Sequence, residues 1–159
     1  MSFLDLDERL IELADRLEFV YSPIVDAKEF PENVDITLIE GAVNNEEQLS
    51  LLKLARSRSR FIVSLGDCAV TGNVTALRNS LSESAQSVLR TAYLDNVTHQ
   101  PRVPEEVPRL LTSAYPLHEI VKVDFFIPGC PPSAELINYV ITELLAGKIP
   151  SLEGRFKFG

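Results

Sequence analysis

Apolar residues recur at helical spacing from the start of the chain, at Phe3, Leu6, Leu10, Leu13 and Leu17, with Asp5, Asp7, Glu8 and Arg9 on the other side. This predicts an amphipathic helix over residues 1–16. Leu17-Glu18-Phe19-Val20-Tyr21 changes to strand character and stops at Ser22-Pro23, and residues 26–33, with Pro31 and several charges, read as a loop. Residues 35–40 form the next predicted strand, closed by Gly41. Asn44 or Asn45 is placed to cap the next helix, with Glu46 and Glu47 in its first turn and Leu49, Leu51, Leu52, Leu54 and Ala55 on its apolar side. Phe61-Ile62-Val63-Ser64-Leu65 is then a continuous apolar run ended by Gly66. Strand, helix and strand in close succession is the pattern of a parallel βαβ unit.

Residues 67–122 are less regular. A helix is predicted over residues 83–93, then a stretch broken by Pro101, Pro104, Pro108 and Pro116, which disfavours long elements. Strand character returns over residues 121–128. Ser133 caps a last helix over residues 134–146, with Glu135 near its start and Gly147 at its end. No internal repeat or low-complexity segment interrupts this order. The strands are too apolar to have a wet face, so the fold class is α/β, a right-handed doubly wound parallel sheet in one domain over residues 1–159. Opening on a helix rather than a strand is unusual for that class.

Composition narrows the function classes. A chain of 159 residues, 45% hydrophobic and 24% charged, suits one globular domain. The formal charge of −8 argues against a nucleic-acid partner, because phosphate contact needs clustered Lys and Arg. The densest basic run, Lys53 to Arg60, ends a predicted helix, where cations complement the dipole; a docking patch for an acidic partner is the other reading. There is no apolar run long enough for a membrane span. Two cysteines far apart do not make a disulfide framework, so a reducing, cytoplasmic setting is the simpler expectation.

In open parallel sheets, ligands bind beyond the carboxyl ends of the strands. Three such ends carry unusual sequence: Glu40-Gly41-Ala42-Val43, Gly66-Asp67-Cys68-Ala69-Val70-Thr71-Gly72-Asn73 and Pro128-Gly129-Cys130-Pro131-Pro132. Both cysteines fall in these loops, each next to or near a glycine that lets backbone N–H groups approach a sulfur. Thiolates are the preferred ligands of iron–sulfur clusters. Free cysteine is also a common buried apolar filler, and on the residues alone the two readings stand level. Zinc is disfavoured because two thiols half-fill a tetrahedral site, and His99 and His118 lack metal-ligand spacing. No dinucleotide fingerprint, P-loop, nucleophile elbow or zinc-protease helix is present.

Taken together, Ile39-Glu40-Gly41, the run from Leu65 to Val74, Leu77-Arg78-Asn79 and Ile127-Pro128-Gly129-Cys130-Pro131-Pro132 resemble the small-subunit family of nickel–iron hydrogenases, to which the 20 kDa cluster-bearing subunit of NADH:quinone oxidoreductase is related. The Gly-Asp-Cys-Ala-Val-Thr-Gly-Asn version is most similar to the bidirectional, NAD(P)-linked type. The resemblance implies a flavodoxin-like domain with one 4Fe-4S cluster, beside the nickel–iron centre of a large subunit and upstream of diaphorase subunits. It implies Cys68 and Cys130 as cluster ligands, Glu40 and Gly41 lining the cluster and interface, and Gly66, Asp67 and Gly129 around it. A strand-end carboxylate capping nearby N–H groups is the other reading of Glu40.

The family's remaining two cysteines lie in a Cys-x-x-Cys segment after a first strand, and the residues from Met1 onward resemble the stretch just beyond that segment. The expectation is therefore a sheet without its first strand and with two of four ligands, from a start assigned at an internal methionine, a shortened chain, or a paralogue without a cluster. Loss of a central strand predicts unpaired edges, a gap over the core, or direct pairing of the flanking strands. The competing functions are a quinone-reductase homologue and a flavodoxin-like flavin-binding or structural domain.

Overall fold

The computed structural model describes residues 4–22, 25–81, 84–156 and 158. It opens with a 3-10 turn, Leu4–Leu6, and α1, Glu8–Ala14. The periodicity of the first segment is thus met over a shorter span, broken at Asp7, whose φ is 48°; Phe3 lies outside the described residues. Leu6 and Leu13 are buried against Ile137 and Ile141.

Residues 17–21 form no strand, contrary to expectation. Strand propensity measures fit to a pleated, half-buried surface, and this segment joins neither sheet. Tyr21 instead packs its ring at 5.1 Å from that of Phe30.

The rest of the chain runs β1 (Val34–Glu40), β2 (Val43–Asn45), α2 (Glu46–Arg58), β3 (Ser59–Leu65), α3 (Asp67–Thr71), a 3-10 segment Asn73–Ser80, α4 (Ala85–Arg90), β4 (Leu110–Tyr115), β5 (Phe125–Ile127) and α5 (Ala134–Leu145). α4 and the π-helical turn after it, Thr91–Asp95, fill the helix expected over residues 83–93, of which residue 83 lies outside the described residues. β1, β3 and β5 form a parallel sheet in that order, so the predicted βαβ unit is present as β1–α2–β3. β1 and β3 pair over their whole length, from Val34 against Ser59 to Glu40 against Leu65. The three strands are contiguous and no gap opens between them. The other edge of β1 carries no strand among the described residues.

Alternate residues of β3 face opposite sides. Ile62 packs with Ala55 of α2 and with Phe30, while Val63 packs with Leu136 and Val140 of α5. Helices therefore cover both faces, which is why the strands read as unbroken apolar runs. Asn45 caps α2 by accepting from the Gln48 N–H at 2.8 Å, and Gln48 Oε1 accepts from the Asn44 N–H at 2.8 Å. Ser133 caps α5 through the Leu136 N–H.

Two strands lie outside the elements that periodicity predicts. β2 and β4 pair antiparallel beside the main sheet, Val43 against Tyr115. β4 lies just behind the prolines, and Leu110-Leu111-Thr112-Ser113-Ala114-Tyr115 has no clear alternation. Asn79 acts as a strand substitute for it: the Ala114 N–H donates to Asn79 Oδ1 and Asn79 Nδ2 donates to the Ala114 carbonyl, both at 2.7 Å. Arg78 adds a bond to the Leu111 carbonyl at 3.0 Å.

The strand expected over residues 121–128 shortens to Phe125–Ile127. Just ahead of it, the Asp124 N–H donates to the Ile62 carbonyl at 2.9 Å, and Asp124 Oδ2 accepts the Ile62 N–H at 2.9 Å. Arg56 meets the same carboxylate at 2.6 Å. Arg58 pairs with Glu32 and Arg60 with Asp35, so these three arginines of the basic run are engaged within the chain.

Burial raises the Asp124 pKa, but the Ile62 N–H, the Arg56 hydrogen bond and charge, and the Lys122 charge outweigh it and hold it below the usual carboxylate range. A carboxyl depressed by folding stabilises above its unfolded pKa and loses that contribution as pH falls through its folded value. The urea midpoint should therefore fall below about pH 4, and the fall should be smaller in Asp124→Asn. Equal acid profiles for the two proteins would remove Asp124 from the account.

Candidate functional site

The carboxyl ends of the three parallel strands are level. Glu40 is in register with Leu65, and Leu65 with Ile127. At strand spacings of about 4.8 Å, Glu40 and Ile127 lie roughly 10 Å apart along one end of the sheet. Gly41, Gly66 and Gly129 turn the chain just beyond these ends, at φ of 83°, 82° and 137°.

The two cysteine loops are laced together beyond the end of the sheet. The Gly66 N–H donates to the Ile127 carbonyl at 2.7 Å, and the Asp67 N–H to the Gly129 carbonyl at 2.9 Å. The Gly129 N–H returns to Asp67 Oδ1 at 2.6 Å. Asp67 is only 3% exposed, so this charge-assisted bond is shielded from water. Close approach explains Gly129, where an added Cβ would lie 2.6 Å from Pro132 Cα. At Gly66 a Cβ would make ordinary contact, 3.4 Å from the Gly129 carbonyl oxygen, and the left-handed backbone is the reason for glycine.

Cys68 follows Asp67 in the first turn of α3 and is half-buried, while Cys130 follows Gly129 and is exposed; both thiols are free. An exposed Cys130 is not core filler, which removes that reading for one of the two cysteines. Glu40 is exposed at the end of β1. The structure thus brings the Cys68 and Cys130 loops together and sets Glu40 and Gly41 two strands from the second of them. His99 and His118 are both exposed, and His118 packs edge-on against Phe126 at 5.9 Å.

Residues 67–71, expected as loop, form α3. Gly66 and Gly72, the latter left-handed at φ 84°, bracket the helix and are the sequence signal for it. The 3-10 segment after it exposes an apolar strip of Val74 and Leu77, continued by Leu81.

As a donor set, two thiols at adjacent strand ends suit soft-metal ligation, and an all-cysteine cluster needs four such ligands. Among the described residues no group of three or more His, Cys, Asp or Glu side chains is placed to hold a metal ion. Nor is any helix among them long and apolar enough to cross a membrane.

Residues 1–144 match the family model described as NADH ubiquinone oxidoreductase, 20 Kd subunit, and the chain belongs to that family. The delta subunit of the NAD-reducing hydrogenase HoxS of Cupriavidus necator is 38% identical over 98% of this chain and 78% of its own length. The vhu G chain of the F420-non-reducing hydrogenase of Methanococcus voltae is 41% identical over 96% of this chain, but the match spans only 53% of that protein. A crystal structure of an NAD+-reducing NiFe hydrogenase in the H2-reduced state contains a chain that superposes with a TM-score of 0.93 at 38% identity, covering 100% of this chain and 90% of that one.

Proposed function

We propose that this chain is the electron-relaying small subunit of a cytoplasmic NAD(P)-linked nickel–iron hydrogenase. In this reading it is one iron–sulfur domain, with Cys68 and Cys130 as two ligands of a 4Fe-4S cluster next to the nickel–iron centre of a large subunit. The observation that carries the proposal is the lacing of the two cysteine loops through Asp67 and Gly129 at a level set of strand ends. Likeness to the Cupriavidus necator subunit and to the NAD+-reducing enzyme supports hydrogen and NAD as the redox partners.

When bound, a cluster supplies a one-electron relay between the large subunit and diaphorase subunits. This chain's own residues position and shield it. Cys68 and Cys130 would donate thiolates from backbones fixed by β3 and β5, and Gly129 lets the Cys130 loop fold closely on itself, where a Cβ would meet Pro132. Gly41 lets β1 turn away at the end of the sheet, leaving Glu40 as the carboxylate at the subunit boundary. Val74, Leu77 and Leu81, in and just after the 3-10 segment that follows α3, give an apolar surface for the large subunit.

The test is to purify the chain with its large and diaphorase subunits and assay hydrogen-dependent NAD+ and NADP+ reduction. Hydrogen-dependent reduction that is lost when this subunit is omitted is expected. The family description also favours a second reading, the cluster-bearing subunit of an NADH:quinone oxidoreductase. Quinone reduction without hydrogen oxidation would select that reading, and extra flavin with no extra iron, relative to the complex lacking this subunit, would reject both.

A further inference from the structure

β3 and β5 are closed at both ends by the same device. At one end, the Asp124 N–H donates to the Ile62 carbonyl and its carboxylate accepts the Ile62 N–H. At the other, the Asp67 N–H donates to the Gly129 carbonyl and its carboxylate accepts the Gly129 N–H. Each aspartate thus satisfies both backbone groups of one residue on the opposing segment, as a ladder partner would.

The two ends differ in where they lie relative to the thiols. The Asp124 carboxylate is met by Arg56 at 2.6 Å and Lys122 at 3.6 Å, at the end of the sheet away from the thiols, and reads as a fastening for the sheet. Asp67 sits between the cysteine loops, adjacent in sequence to Cys68 and bonded to the neighbour of Cys130. It is also almost fully buried, where a fixed charge acts on its surroundings with little screening.

We infer that Asp67 is a positioning residue for the cysteine pair. Its carboxylate holds the Cys130 loop on the Cys68 loop, and its negative charge lowers the reduction potential of whatever redox centre the two thiols ligate. The charge disfavours adding an electron nearby, and it occupies a backbone N–H that would otherwise be available to a sulfur. This rests on the cluster reading for the potential, but not for the fastening.

The experiment compares wild type, Asp67→Asn, Asp67→Ala and Asp124→Asn in the assembled hydrogenase complex. Amide hydrogen exchange at Gly129 and Cys130 reads the fastening, because Pro128, Pro131 and Pro132 carry no N–H, and an EPR-monitored redox titration reads the potential. Asp67→Asn retains an acceptor oxygen, so exchange should stay within about threefold of wild type, while the potential should move upward. Asp67→Ala should speed exchange about tenfold or more, as expected for loss of a buried hydrogen bond of about 1.4 kcal/mol or more. Asp124→Asn should leave the potential where it is.

An unchanged potential in Asp67→Asn would overturn the electrostatic role, and unchanged exchange in Asp67→Ala would overturn the fastening. Wild-type complex holding no more iron than the complex assembled without this subunit would instead defeat the cluster reading, and the exchange result would then decide the fastening alone.

Discussion

Gly129→Ala is expected to lower stability by on the order of 3 kcal/mol, against a total of about 5–15 kcal/mol for an ordinary domain. The added methyl would lie 2.6 Å from Pro132 Cα and 2.8 Å from Pro132 N, and neither is the movable tip of a side chain. The backbone at φ 137° adds strain for any L-residue. Relief requires the Cys130 loop to lift, which breaks the two bonds to Asp67. Urea unfolding should show a midpoint lowered by about 1 M or more at an ordinary slope. Gly41→Ala is the control. Its φ is 83°, but nothing lies within 4 Å of the added Cβ, so only backbone strain of about 1 kcal/mol is expected. Equal midpoints for the two variants would contradict the close packing of the cysteine loops.

Cys68→Ser and Cys130→Ser have the largest expected effect on function. A serine hydroxyl is a hard, poorly acidic donor where a soft thiolate is needed. Neither thiol is fully buried, so the exchange should leave folding nearly untouched, within about 0.5 kcal/mol. Each variant of the assembled complex should lose most of its hydrogen-dependent NAD+ reduction while keeping its subunit composition. Loss of stability in step with loss of activity would point to a structural role for these cysteines instead.

The parts of the fold legible in the sequence are those where local chemistry and tertiary packing agree. α2 has an Asn cap, two glutamates in its first turn and arginines in its last, and β3 is an apolar run between punctuating residues; both lie where expected. The strand-end loops are legible because glycine marks each departure from the sheet. Residues 17–21 mislead because strand-formers realise their preference only beside a partner edge. β4 is hidden because its hydrogen bonds go partly to Asn79 and Arg78, residues more than thirty positions away that carry no strand signal.

At the site, the sequence places Cys68 and Cys130 past strand ends but does not show that their loops touch. That contact depends on the register of β3 with β5, and on Asp67 folding back across the chain. Asp67 is legible as a neighbour of the thiols. Its bond to Gly129 is not, because a side chain reaching a backbone group 62 positions away leaves no periodicity to reveal it.

The most direct test of the central claim is EPR of the reduced, purified complex, combined with iron analysis, for wild type against Cys68→Ser and Cys130→Ser. A reduced-cluster signal that disappears in both variants, with iron falling by about four per complex as loss of one 4Fe-4S cluster requires, is the expected result. Retention of signal and iron in both variants would contradict the assignment of these two thiols as ligands.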